Sequence, residues 1–228
     1  GGIGIRANAS TGLTINAGGA GASLTSQGAR ALEVIGSVAT LTLDDLTVTG
    51  SATGAVSMTG AGGSNVAIGV LSATTTGGTA VSLNGPLTFG VSGAASFIAA
   101  TAGPAFVAAN STLDVTLRSA GSSGSSTTGI SLTTTTGTFD VTGTGTTAGS
   151  GGVIASPGDE GIVLAGAAGV SLSNMDVDSD ADTAVDITGA STVELNNLEI
   201  TQTGSDELGI SVLDLSGSLA IDGATISG

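Results

Sequence analysis

The chain has 228 residues, 40% of them hydrophobic but only 2% aromatic, and it contains no Cys, His, Trp, Tyr or Lys. A formal charge of −15, set against only three cations (Arg6, Arg30 and Arg118), excludes nucleic acid as a partner and opposes anionic membranes, because almost nothing is available to displace counterions. The missing Cys and His also exclude a disulfide scaffold, a thiol nucleophile and any His-based triad.

Forty Gly, with abundant Thr, Ser, Ala and Val, describe turn-formers punctuating β-formers. Val, Ile and Leu recur on schedule, which opposes disorder. No run reaches the roughly 20 apolar residues of a membrane span, so no membrane insertion is expected. Neither a signal-peptide pattern nor an initiator Met opens the chain, which therefore reads as a mature or excised segment.

In chain order, a small residue followed by apolar–any–apolar recurs nine times. The phrase is Gly2-Ile3-Gly4-Ile5, Ala31-Leu32-Glu33-Val34, Ala55-Val56-Ser57-Met58, Ala80-Val81-Ser82-Leu83 and Ala105-Phe106-Val107-Ala108, then Gly129-Ile130-Ser131-Leu132, Gly161-Ile162-Val163-Leu164, Ala184-Val185-Asp186-Ile187 and Gly209-Ile210-Ser211-Val212. Steps of 29, 24, 25, 25, 24, 32, 23 and 25 residues separate the first apolar positions. A period in the twenties made of short alternating strands is the signature of a solenoid. A second apolar pair follows in each repeat, from Leu13/Ile15 and Leu41/Leu43 to Val193/Leu195 and Leu219/Ile221. A third is visible in four repeats, as Leu46/Val48, Met175/Val177, Leu198/Ile200 and Ala224/Ile226.

Three strands per coil, each alternating with period two, put one apolar row inward on each of three faces. The expected fold is an all-β, single-stranded parallel β-helix of about nine coils spanning residues 1–228 as one domain, about 40 Å long at roughly 4.8 Å per coil. The wandering period argues against a left-handed hexapeptide helix, and the missing Trp and Tyr argue against a β-sandwich. Val170, Leu172, Val193 and Leu195 are expected inside, with Ser171 and Glu194 outside.

Only two residues separate inward positions in Leu43-Asp44-Asp45-Leu46, Leu172-Ser173-Asn174-Met175, Leu195-Asn196-Asn197-Leu198 and Ile221-Asp222-Gly223-Ala224. The third position is Asp, Asn, Asn or Gly, residues that tolerate left-handed backbone angles, so a sharp bend is expected there. Asn174 and Asn197 fall in adjacent coils, within reach of a hydrogen bond along the stack. Phe89, Phe97, Phe106 and Phe139 are read as core filling. The 32-residue step is explained by a longer coil with loops at Gly145–Gly152 and Pro157-Gly158-Asp159.

Thirteen of the eighteen carboxylates lie after residue 158, most densely in Asp176-Val-Asp178-Ser-Asp180-Ala-Asp182. Alternating carboxylates offer hard oxygen ligands, which makes Asp176, Asp178, Asp180 and Asp182 a candidate calcium site. Ala181 and Ile187 fall where an EF-hand loop needs Gly and Glu. A solvated acidic turn that keeps the chain soluble is the other reading. Runs such as Thr133–Thr136 suggest a flat hydroxyl face, but the expected outward row of strand two (Thr14, Thr42, Ala67, Thr88, Asp114, Asp140, Ser171, Glu194, Ala220) is too mixed for an ice-binding grid.

The whole chain resembles a right-handed parallel β-helix of the pectate-lyase-like superfold. Within it, Gly137-Thr-Phe-Asp-Val-Thr-Gly143, Gly149-Ser-Gly-Gly-Val-Ile154, Gly158-Asp-Glu-Gly-Ile-Val-Leu164 and Val170-Ser-Leu-Ser-Asn-Met175 resemble large bacterial surface proteins built of β-strand repeats. That resemblance implies secretion and an extracellular, cell-surface or matrix setting. The superfold's pectin hydrolases carry Gly-His-Gly and Arg-Ile-Lys motifs, neither of which exists in a chain without His and Lys. Asp44-Asp45, the only adjacent Asp pair, falls on an expected bend. A lyase arrangement pairs Asp-held calcium with an Arg, yet Arg118 stands two coils from the acidic run, roughly 10 Å.

The expectation is a non-catalytic structural, stalk or adhesin-like segment. Its partners are other copies or neighbouring coils end to end, and extracellular matrix or glycans. The alternative is a polysaccharide-binding or polysaccharide-cleaving module. Because an uncapped solenoid leaves strand edges and core open, the segment is expected to be cut from a longer array or to stack with its own copies.

Overall fold

In eight of the nine repeats the short recurring phrase forms a strand. In the first the strand begins two residues later than the phrase read at Gly2–Ile5, because Ile5 and Ala7, not Ile3 and Ile5, pair with Leu32 and Val34. These strands stack in sequence order into a nine-stranded parallel sheet. It runs from Ile5–Asn8 and Leu32–Ile35 through Phe106–Ala109 to Val185–Thr188 and Ile210–Leu213. This is face one. In the computed structural model, residues 3–10, 12–16, 22–180, 182–202 and 208–228 are described; Gly2, which opens the first repeat, lies outside them. Among the described residues every element is a strand, and the chain is a parallel β-solenoid of about nine turns.

Register on face one is unbroken. A single inward file runs through Ala7, Val34, Met58, Leu83, Ala108, Leu132, Leu164, Ile187 and Val212. Apolar stacks on apolar along the whole file. Each strand is followed at the same place by a left-handed residue: Ala9, Gly36, Gly60, Gly85, Asn110, Thr134, Gly166, Gly189 and Asp214 all have positive φ. Every coil turns its first corner on that residue.

Faces two and three belong to one sixteen-stranded sheet that wraps both. Every coil has a third strand, including the five in which no third apolar pair stands out. Those five use Ser23–Gln27, the second half of Asn65–Thr75, Phe97–Thr101, Ser119–Ser123 and Val153–Ala155. Several of their inward residues are small or polar: Ala73, Ala100, Ala120 and Ser122 are all buried, and such residues leave no apolar alternation to read.

The expected bend is present at Asn174, Asn197 and Gly223, with φ of 58°, 52° and 66°, and is absent at Asp45. Residues Ala39–Ser51 form one continuous strand and Asn65–Thr75 another, so two coils pass from face two to face three without a break. Gly69 lets these two strands approach: a Cβ there would meet the Asp44 carbonyl oxygen at 2.4 Å.

The core is a single cluster from Ala7 to Ile200. Val170, Leu172, Val193 and Leu195 are at most 1% exposed, whereas Ser171 is half-buried and Glu194 exposed, as alternation requires. Phe89, Phe106 and Phe139 are fully buried and stack along the axis, with ring centroids 6.3 and 4.9 Å apart. Phe97 departs from the core-filling expectation. It is only half-buried and carries the Arg118 guanidinium carbon 5.7 Å from its ring centroid, because in Phe97–Thr101 the inward positions are Ile98 and Ala100.

Candidate functional site

The outward rows can be placed only once register is known. On face two, Thr14, Thr40, Asn65, Thr88, Thr112 and Thr136 form one file, while Thr116, Asp140, Ser171, Glu194 and Ala220 form another. The mixed row expected from spacing crosses three files: Thr14 and Thr88 belong to the first, Thr42, Ala67 and Asp114 to the file two residues on, and Asp140 onward to the file two residues further. The Thr file is regular except at Asn65, and Thr112 and Thr136 share a hydroxyl–hydroxyl hydrogen bond of 3.1 Å. The file two residues on reads Thr42, Ala67, Gly90, Asp114 and Thr138, so the face carries one hydroxyl line and no grid.

The acidic run divides at a corner. Asp176 and Asp178 lie on the strand Asp176–Ser179 and point out of face three, where Asp176 stands beside Glu199 and Asp178 beside Thr201. Burial, then the charges of Glu199 and Asp178, raises the Asp176 pKa above the ordinary carboxylate value. Asp180 is exposed at the turn. Asp182 follows it; one of its carboxylate oxygens accepts from the Thr183 amide at 2.7 Å, and its backbone carbonyl accepts from the Ser179 hydroxyl at 2.8 Å.

Asp182 meets partners that spacing did not single out. Its carboxylate and those of Asp159 and Glu160, from the loop of the long coil, lie within 4.8 Å of one another. Among the described residues this is the one place where three such groups converge. The Glu160 carboxylate accepts from its own backbone amide, which lowers its pKa. Burial, a hydrogen bond shared with Asp159 and the charges of Asp159 and Asp182 outweigh that effect, and the net pKa is raised. Three hard oxygens so placed have the chemistry of a calcium or magnesium corner. The sequence signal is the repeat itself, since Asp159 and Asp182 both stand two residues before the recurring phrase, at Gly161-Ile162 and Ala184-Val185. Of the four predicted ligands, Asp182 belongs to this group, Asp180 is exposed at the turn, and Asp176 and Asp178 lie on face three, where Asp176 stands beside Glu199.

The other half of the long coil builds a wall. Ser150 ties the 144–150 loop together: its hydroxyl donates to the carbonyl of Thr147 at 2.7 Å and accepts from the Thr144 amide at 3.0 Å. Asn174 and Asn197 clamp the loop from outside, donating to the carbonyls of Thr142 at 3.0 Å and Thr146 at 2.8 Å. Between this wall and face three runs an open groove of about 320 Å³, floored by Ala99 and Gly121 and bounded by Val153. The Arg118–Phe97 pair stands on the same face.

Asp44 and Asp45 lie in a continuous strand, where an Asp44 carboxylate oxygen accepts from the Ala22 amide at 3.2 Å. Two pairing steps separate the Arg118 coil from Asp176, about 10 Å. Arg6 and Arg30 both pair with Glu33.

Compared with known proteins, the chain matches no family profile, no curated sequence and no solved structure. What the fold itself defines is a parallel β-solenoid.

Proposed function

We propose that this protein is a non-catalytic structural rod: a stalk or adhesin-like segment of a large secreted bacterial cell-surface or matrix protein, with the right-handed pectate-lyase-like winding its repeats resemble. The observation that carries this reading is the unbroken stacking of face one, where every junction from Ile5–Asn8 to Ile210–Leu213 pairs residue for residue. A solenoid transmits load and sets distance through such nearest-neighbour interfaces. Its outward carboxylates keep like surfaces apart and the rod in solution.

A second reading, an acidic-glycan-binding module, is favoured by one observation. Arg118 is half-buried against the Phe97 ring and no carboxylate lies within ion-pair distance of it among the described residues. A cation over an aromatic face is a recognised way to present positive charge. A glycan array together with a lyase assay on acidic polysaccharides tests both readings. No turnover and no retained glycan is the result expected of a rod; turnover would overturn it, and retention lost in Arg118→Ala would establish the second reading.

A further inference from the structure

We infer that face one is the docking surface for a second copy of this chain, the two rods lying side by side and antiparallel. This rests on the rod reading and names the rod's partner. Charge distribution is the first observation. The strands of face two carry Asp114, Asp140 and Glu194 outward, and those of face three Asp176, Asp178 and Glu199. On face one the file that begins Arg6 and Glu33 continues through Ser57, Ser82, Val107, Ser131 and Val163 before it reaches Asp186. The second outward file, from Ile35 to Thr188, holds no charged residue. Five consecutive coils of a chain with formal charge −15 thus present short, uncharged side chains. Here two copies approach without setting carboxylate against carboxylate. The surface runs along the side of the rod, where coils added at either end would not cover it.

The charges that flank this stretch select the pairing. Arg6 and Arg30 share the single carboxylate of Glu33, which leaves one net positive charge there. Six coils beyond Glu33 stands Asp186, with Asp159, Glu160 and Asp182 at the adjoining corner. Arg30 and Glu160 each stand two residues before the first inward residue of a face-one strand, Leu32 and Ile162, so they share one corner column. A two-fold axis parallel to the strands keeps each outward file facing itself and reverses the order of coils. Placed between Val81–Asn84 and Phe106–Ala109, the fourth and fifth strands of the face, it sets the first strand over the eighth and the second over the seventh. Arg6 then meets Asp186 of the other copy, and Arg30 meets Glu160. The same operator lays Ile35 on Ala165, Ser57 on Ser131 and Ser82 on Val107. One axis thus satisfies both cations, twice over. Rods set parallel would instead hold each charge level with its own counterpart, Asp186 with Asp186.

Eight facing coils of four-residue strands cover about 500 Å² on each copy, against the roughly 800 Å² per partner of a stable interface. The single contact is therefore weak and gains strength where many rods are presented together. Rods projecting from two opposing surfaces meet antiparallel, which is the orientation this pairing needs.

The test is light scattering with refractive-index detection, since the chain lacks Trp and Tyr. The mass of the intact chain is expected to rise with concentration from 21.2 kDa toward twice that value. Arg6→Asp and Asp186→Arg each set like charges across the contact, and each alone is expected to stay monomeric; circular dichroism and melting confirm that both fold. Their equimolar mixture is expected to pair, because every facing couple at positions 6 and 186 is then opposite in charge. Val107→Asp, half-buried at the centre of the face, is expected to abolish pairing without touching either ion pair. Variants that pair as the wild type does, or a mixture that stays monomeric while the wild type pairs, would overturn the proposal. A folded wild-type monomer at millimolar concentration would overturn it as well, while leaving the rod reading intact; that reading falls separately, on turnover in the lyase assay.

Discussion

The Asn197 side-chain amide donates to the Asn174 side-chain oxygen at 2.8 Å across two adjacent coils, and both residues are left-handed. One residue type serves three needs here. It relaxes the bend between faces two and three, links neighbouring coils, and clamps the 144–150 loop through the Thr142 and Thr146 carbonyls. Asn174→Ala removes the buried hydrogen bonds and places a Cβ residue without a local polar partner in the left-handed region, at a cost of about 2–4 kcal/mol. Asn174→Gly keeps the backbone relaxed and is expected to cost less. Chemical denaturation ranks the pair, and proteolysis within residues 144–150 should accelerate in both.

Leu195 and Glu194 differ by one position and by everything physical. Leu195 is 0% exposed between Leu172 and Ile221, so Leu195→Ala is expected to cost about 2–5 kcal/mol through lost burial and a cavity. Glu194 is exposed, and Glu194→Ala is expected to be nearly neutral. Equal costs in urea denaturation would mean that the strand is out of register.

Thr134 is the one β-branched residue in the left-handed corner column after face one, between Asn110 and Gly166 in the neighbouring coils. It is exposed and its backbone amide donates to the Ala165 carbonyl at 2.7 Å. Thr134→Gly or Thr134→Asn retains that bond and relieves the backbone, and is expected to stabilise by about 0.5–1 kcal/mol. A lower melting temperature in both would contradict the column.

Acid is expected to stabilise this protein before it denatures it. Asp140 is raised above the ordinary Asp value by burial, then by the charges of Glu194 and Asp114, and Asp176 is raised by burial, Glu199 and Asp178. A carboxyl whose folded pKa exceeds its unfolded one contributes stability that is fully present below the unfolded pKa and is lost as pH rises through the folded pKa. The melting temperature should therefore rise as pH falls from 7 into the carboxylate range. Asp140→Asn should raise it at pH 7 and flatten the profile.

Whatever stabilisation millimolar calcium provides is expected to vanish in Asp182→Asn and survive in Asp178→Asn, because Asp182 is the member of the run that meets Asp159 and Glu160. Melting curves with calcium and with chelator check this. A wild-type curve indifferent to calcium would leave the three carboxylates as a solvated corner, and the reverse mutant pattern would move the site to face three.

Much of this architecture is carried by local pattern. Period-two alternation of apolar residues marks face one from the second coil onward, and the Asn at positions 174 and 197 marks the bend, because side-chain direction and left-handed tolerance are properties of single residues. Other features exist only through neighbours in the next coil. The third strand of the fifth coil buries Ala120 and Ser122, residues whose inward position follows from backbone pairing and leaves no trace in hydropathy. The outward files of face two depend on the register of each strand against the next, which the expected row misses in steps of two residues between Thr14 and Asp140, and alternation within one strand is blind to that register. Asp182 finds Asp159 and Glu160 because the corners that precede Ile162 and Val185 stack in adjacent coils. Alternation alone carries the winding of the chain and the inward direction of its strong hydrophobes. Tertiary structure decided which outward residues stand side by side, since that is settled by hydrogen bonds between coils.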